Sequence, residues 1–107
     1  MGARTNAQLK YSDGNSVFIY SHWGGGKGGS LHTKIHKAIA RKQRWDDEMY
    51  MAAIIIREVL RDNLDQDTGY GVQPYLGEES YSTTVIDLDK QTIDDIPFQT
   101  YLDQQAP

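Results

Sequence analysis

The sequence predicts a single α+β domain, residues 1–107, in which an antiparallel β-sheet carries two main helices in the order ββ-αα-ββ(β)-α. Three observations lead there. Of two short runs before residue 24, the first alternates apolar and polar residues and the second is rich in β-branched and aromatic residues, as strands are. Two stretches between residues 31 and 63 carry the apolar spacing of helices. A further alternating run and a tight turn follow residue 82. A chain of 107 residues has room for one core, and no internal repeat or long linker divides it.

The elements follow in order. Residues 5–11 place Thr5, Ala7, Leu9 and Tyr11 on one side and Asn6, Gln8 and Lys10 on the other, the pattern of a half-buried strand. Ser12-Asp13-Gly14-Asn15 has the residue types that tolerate positive φ and reads as a hairpin turn. Residues 16–23 form a second strand, with Val17 and Ile19 facing one way and Phe18, Tyr20 and His22 the other; bulk on both sides predicts an interior position. The tract Gly24 to Gly29 breaks regular structure. Ser30 then offers an N-cap for a helix over 31–43, with Leu31, Ile35, Ala38 and Ile39 as its apolar stripe. Lys34, Lys37, Arg41 and Arg44 form a cationic ridge on its opposite side. Asp46-Asp47-Glu48 caps a second helix reaching about residue 63, since carboxylates suit a helix N-terminus. From 49 to 56 this helix is apolar all round, which predicts two covers, one of them the first helix or a second copy of the chain. A short extended piece at 72–76, a strand at 82–88 and a returning strand at 91–93 come next. Asp95-Ile96-Pro97 opens a short C-terminal helix with a frayed end.

Composition bounds function. Hydrophobic residues at 38% and charged residues at 24% are those of a globular fold. The absence of cysteine excludes disulfides and thiolate metal sites and suits a reducing compartment. The longest apolar run, 49–56, is too short to span a bilayer, and the first residues lack a secretion signal, while Asn6 stands where lipidation would need Ser or Thr. A cytoplasmic protein with no membrane association is expected. The net charge of −4 hides a split. Residues 1–45 carry eight cations and one anion, a net +7, and residues 46–107 carry three cations and fourteen anions, a net −11. Such polarity can guide a small anion to the basic side, or neutralise itself within a monomer or dimer. The −11 portion would repel the backbone of a long nucleic acid, which disfavours DNA or RNA as partner.

The familiar catalytic and metal motifs are incomplete. Strand, glycine loop and helix is the context of a phosphate cradle, yet Lys27 is misplaced for a P-loop and repeated glycines meet the dinucleotide fingerprint trivially. His32 and His36 lie one helical turn apart, but a cationic surrounding makes two solvated histidines the better reading than a zinc site. Asp65-x-Asp67-x-Gly69 starts like a calcium loop and then supplies Tyr70 and Leu76 where glycine and glutamate are required. No serine stands in a nucleophile elbow. His22 with Asp46 or Asp67 remains as an acid–base pair, a background combination. No catalytic residue, metal or cofactor is assigned.

The aromatic residues point to binding. Tyr20, His22 and Trp23 end a strand, Trp45 lies between the helices, Tyr50 follows in the second helix and Tyr70 sits in a glycine turn. Placed beside Arg4 and Arg44, such rings stack a nucleobase while guanidinium groups take phosphate. The competing reading makes Tyr20, Trp23 and Trp45 core residues with a polar tip.

These residues also carry a resemblance. Met1-Gly2-Ala3-Arg4, Ile19-Tyr20-Ser21-His22-Trp23-Gly24-Gly25, Arg44-Trp45-Asp46-Asp47 with Tyr50, Thr68-Gly69-Tyr70-Gly71 and Val85-Ile86-Asp87 with Gln91-Thr92-Ile93 resemble, in this order, a family of small uncharacterised bacteriophage and prophage proteins. The resemblance spans nearly the whole chain, departing in the longer glycine tract and the acidic tail. It implies the cytoplasm of an infected bacterium and a counter-defence role, either blocking a host protein or acting as a sponge for a nucleotide-derived signal.

The leading expectation is a non-catalytic homodimer, joined through the second helix, that sequesters a small phosphorylated nucleotide. Arg4 and Arg44 would pair with phosphate, His22 would hydrogen-bond, Trp23, Trp45 or Tyr70 would stack, and Gly24, Gly25 and Gly69 would admit backbone. Tyr20, Asp46, Tyr50 and Thr68 complete the candidate set. One alternative is an inhibitor binding a host protein through its acidic C-terminal half. The other is a small nucleotide or nucleic-acid hydrolase using His22 and a carboxylate.

Overall fold

The computed structural model describes residues 5–21, 30–61, 70–74 and 83–105, and its architecture is α+β, a six-stranded sheet with three helices. The strands are β1 (Thr5–Lys10), β2 (Ser16–Ser21), β3 (Tyr70–Gln73), β4 (Thr83–Asp87), β5 (Thr92–Ile93) and β6 (Ile96–Pro97). The helices are α1 (Ser30–Ala40), α2 (Glu48–Leu60) and α3 (Phe98–Gln105). The tract Gly24 to Gly29 and the loop at 65–69 lie outside the described residues.

The sheet order is β3-β2-β1-β4-β5-β6, so β2 is an interior strand, as its two bulky sides predict. Its hairpin with β1 pairs Thr5 with Ser21 and Lys10 with Ser16. The turn between them is closed by Tyr11 N–H to the Asn15 carbonyl at 2.9 Å, and Gly14 adopts φ +90. Contrary to an all-antiparallel sheet, β1 and β4 run parallel, pairing Ala7 with Thr84 and Leu9 with Ile86. Alternation reveals which residues share a face but not strand direction. A parallel pair needs a long crossover, and the chain between β1 and β4, with its two helices, supplies one.

One sheet face carries the core. Ala7, Leu9, Ile19 and Ile86 pack there with Leu31, Ile35, Ala38 and Ile39 of α1, with Met51, Ile55 and Val59 of α2, and with Phe98 and Tyr101 of α3. Each large aliphatic side chain so buried contributes roughly 1.5–3 kcal/mol. Phe18, Tyr20 and Val85 point the other way and stand outside that cluster.

Helix α1 ends at Ala40, a turn earlier than its apolar period suggests. Lys42 and Arg44 adopt φ 54 and φ 56, and the Trp45 indole N–H donates to the Ile39 carbonyl at 3.1 Å, satisfying a carbonyl at the helix end. Helix α2 starts as its acids predict: Asp47 is the N-cap, its carboxylate accepting from Tyr50 N–H at 3.4 Å. Its double cover is not found in a single copy, because Met49 is 65% and Tyr50 45% exposed. Pro97 pairs in the edge strand β6, where a missing N–H is tolerated, and α3 begins at the next residue. Among the described residues, no helix is long and apolar enough to cross a membrane.

Candidate functional site

The cationic ridge expected on α1 is largely engaged. Lys34 donates to the Val59 carbonyl at 3.0 Å and its Nζ lies 5.1 Å from the Tyr70 ring centre. Arg41 pairs with Glu58 at 2.6 Å, and Arg61 meets the same carboxylate oxygen at 2.6 Å. Glu58 is only 4% exposed. Hydrogen bonding from Arg61, then from Arg41, holds its carboxyl below the ordinary range against the opposing effect of desolvation. The histidines are not the solvated pair that the cationic surroundings suggest: His32 hydrogen-bonds through Nε2 to Thr84 Oγ1, and His36 packs 5.6 Å from the Tyr101 ring.

Arg44 leaves the ridge altogether. Its left-handed backbone lays the guanidinium 4.5 Å over the Tyr50 ring, on the outer side of α2. Tyr50, Ala53, Ile54 and Arg57 follow at helical spacing, and with Gln43 and Arg44 they line an open groove of about 550 Å³. Ala53 keeps the floor low, Ile54 gives it an apolar patch, and the two arginines flank it. No carboxylate stands among these residues. Chemically the groove offers two cations and one ring, a combination suited to an anion bearing a flat group.

Of the other candidates, Trp45 is half-buried, with its ring edge-on to Phe98 at 5.3 Å and its N–H engaged, so it serves the core. Asp46 borders a separate hollow of about 300 Å³ with Ser12, Asp47, Glu48, Leu88, Asp89 and Gln91. Glu48 accepts from the Ser12 N–H and Oγ at 2.9 Å each, tying the start of α2 to the hairpin turn. Burial, then the charges of Glu48 and Asp13, pushes the nearby Tyr11 phenol above its ordinary pKa.

Tyr20 and Tyr70 lie at the other end of the hairpin, where Tyr20 pairs with Asn6 and Gly71, and Tyr70 with Ser21. The length of β2, roughly 17–20 Å for six residues, separates Tyr20 from the hairpin turn, while Tyr70 stands on the helix face of the sheet beside Lys34, which also reaches Val59 near the end of α2. Tyr20 points away from the helices and Tyr70 toward them, so the described candidates do not converge on one site. Arg4, His22, Trp23, Gly24, Gly25, Thr68 and Gly69 lie outside the described residues.

The end of the sheet holding Tyr20 and Tyr70 is buried and polar: Thr5, Asn6, Ser21 and Thr84 are all closed to solvent there. Asn6 stands apart, since neither Oδ1 nor Nδ2 has a hydrogen-bond partner. An amide left in that state costs about 1–3 kcal/mol per unmatched group. Alternation had assigned Asn6 to the polar side of β1, and nothing in the sequence signals its burial. Arg57, by contrast, was legible as two turns beyond Tyr50 on α2. Among the described residues no group of three or more histidines and acids is placed to hold a metal ion. No family model, curated protein or solved structure matches this chain.

Proposed function

We propose that this chain is a non-catalytic phage accessory protein of the counter-defence kind, binding and sequestering a small phosphorylated nucleotide. The observation that carries the reading is the Arg44 guanidinium seated over the Tyr50 ring, with Arg57 one helical turn beyond Ala53 in the same groove. Arg44 would turn from the ring to phosphate. It forfeits an exposed cation–π contact of about 0.5–1 kcal/mol and gains charge-assisted hydrogen bonds that are stronger. Arg57 would hold a second phosphate oxygen, and Tyr50, released, would stack on the base. A homodimer through α2 belongs to the same proposal, since Met49 at its start is 65% exposed in one copy.

Calorimetry against cyclic and linear nucleotides tests the reading. Binding of at least one, weakened about tenfold or more by Arg44→Asn and by Arg57→Gln, is the expected result; tenfold is 1.4 kcal/mol. Asparagine is chosen because it tolerates the positive φ at residue 44. Absence of heat with every nucleotide, or affinities indifferent to both substitutions, would overturn it.

A second reading, inhibition of a host protein through the acidic half, draws support from the hollow bordered by Asp46, Asp47, Glu48 and Asp89. Recovery of a specific host protein at low salt, released by Asp46→Asn with Asp89→Asn, would favour it. The hydrolase alternative depends on His22, outside the described residues.

A further inference from the structure

Tyr50 is 45% exposed, yet one face of its ring lies under the Arg44 guanidinium at 4.5 Å. Both residues line the groove, so the covered face is the one a stacking base would use. Arg44 itself is exposed, and no carboxylate stands among the groove residues to draw it elsewhere. The backbone around it is fixed. Lys42 N–H and the Trp45 indole N–H share the Ile39 carbonyl, at 3.0 and 3.1 Å, and the Arg44 carbonyl accepts from Asp47 N–H at 3.0 Å. The left-handed φ of 56 at Arg44 is thus held from both sides, and the guanidinium moves only by turning its own side chain.

We infer that Arg44 is a specificity-determining residue that closes the Tyr50 ring to uncharged nucleosides and opens it to nucleotides. The inference rests on the nucleotide reading of the groove. Any base that stacks on Tyr50 must first displace the guanidinium and lose its attraction to the ring. A phosphate on the same ligand gives the displaced guanidinium a stronger, charge-assisted partner, which offsets that loss. An uncharged nucleoside leaves the guanidinium in water, so its stacking is weakened by the full contact. Arg57 plays no such part. It stands roughly 10 Å further along α2 at about 1.5 Å per residue, where it can hold phosphate without covering the ring.

Calorimetry with adenosine and guanosine, and with their monophosphates, tests the inference. Arg44→Asn is expected to bind a nucleoside about two- to fivefold more tightly than the native chain, the size of an exposed cation–π contact. The same variant binds the matching monophosphate about tenfold more weakly, so the ratio of nucleotide to nucleoside affinity falls about 20- to 50-fold. Arg57→Gln, which frees no ring, lowers that ratio only about tenfold. Adding Tyr50→Leu to Arg44→Asn removes the nucleoside gain. A nucleoside affinity that falls or does not rise in Arg44→Asn would overturn the inference, as would a gain that survives loss of the Tyr50 ring. In both cases monophosphate binding by the native chain leaves the nucleotide reading standing. If no nucleotide binds the native chain, the two fall together.

Discussion

The indole N–H of Trp45 donates to the Ile39 carbonyl at 3.1 Å while its ring meets Phe98 edge-on, so one side chain closes α1 and joins it to α3. Trp45→Phe keeps an aromatic ring but removes the donor. A loss of about 1–2 kcal/mol is expected, the cost of a half-buried hydrogen bond with some misfit. Urea unfolding of the two proteins checks it, through a lower midpoint at unchanged slope.

Acid should weaken the fold through Glu58. Its folded pKa lies below its unfolded value near 4.5, so its contribution is fully present above that value and lost as pH falls through the folded one. Glu58→Gln should lower the Tm at pH 7 and flatten the decline below about pH 4.5. Thermal unfolding from pH 7 to pH 3 measures both.

Removing the cap of α2 should be felt moderately. Asp47→Ala deprives the Tyr50 N–H of its acceptor and is expected to cost about 1 kcal/mol. Asp47→Asn keeps an accepting oxygen and should recover most of that, and chemical denaturation distinguishes the pair.

Gly14 tests backbone strain without crowding. Among the described residues a Cβ there would meet nothing within 4 Å, but φ is +90. Gly14→Ala should therefore destabilise by about 1 kcal/mol. Gly14→Asn should cost less, because asparagine tolerates left-handed backbone better, and comparing their Tm values decides the point.

Local chemistry made part of this fold legible. Gly14 marks its turn and Asp47 its cap because each acts through atoms a few residues away. The stripe from Leu31 to Ile39 buries where its period says it should. What could not be read depends on distant partners. The parallel pairing of β1 with β4 leaves no trace in alternation. The ridge from Lys34 to Arg44 disperses because Val59, Glu58 and Tyr50, all from α2, draw three of its four cations away in different directions. The candidate site divides likewise: Tyr50 and Arg44 are placed together by the break after α1, whereas Tyr20 and Tyr70, on neighbouring strands, fall on opposite faces of the sheet. The burial of Asn6 was equally illegible, since alternation places it on the polar side of its strand.

The parallel partner of β1 also sets when the protein can finish folding. Asn6 and Thr83 are 77 positions apart in register. The hairpin is complete at Ser21 and β4 opens at Thr83, so at synthesis rates of about 5–20 residues per second the nascent hairpin waits roughly 3–12 s with one ladder of β1 unpaired. During that wait the bare strand edge is open to another chain. Shortening the chain before β4 would make that exposure permanent, so truncated products should accumulate as aggregates and not as a smaller soluble domain.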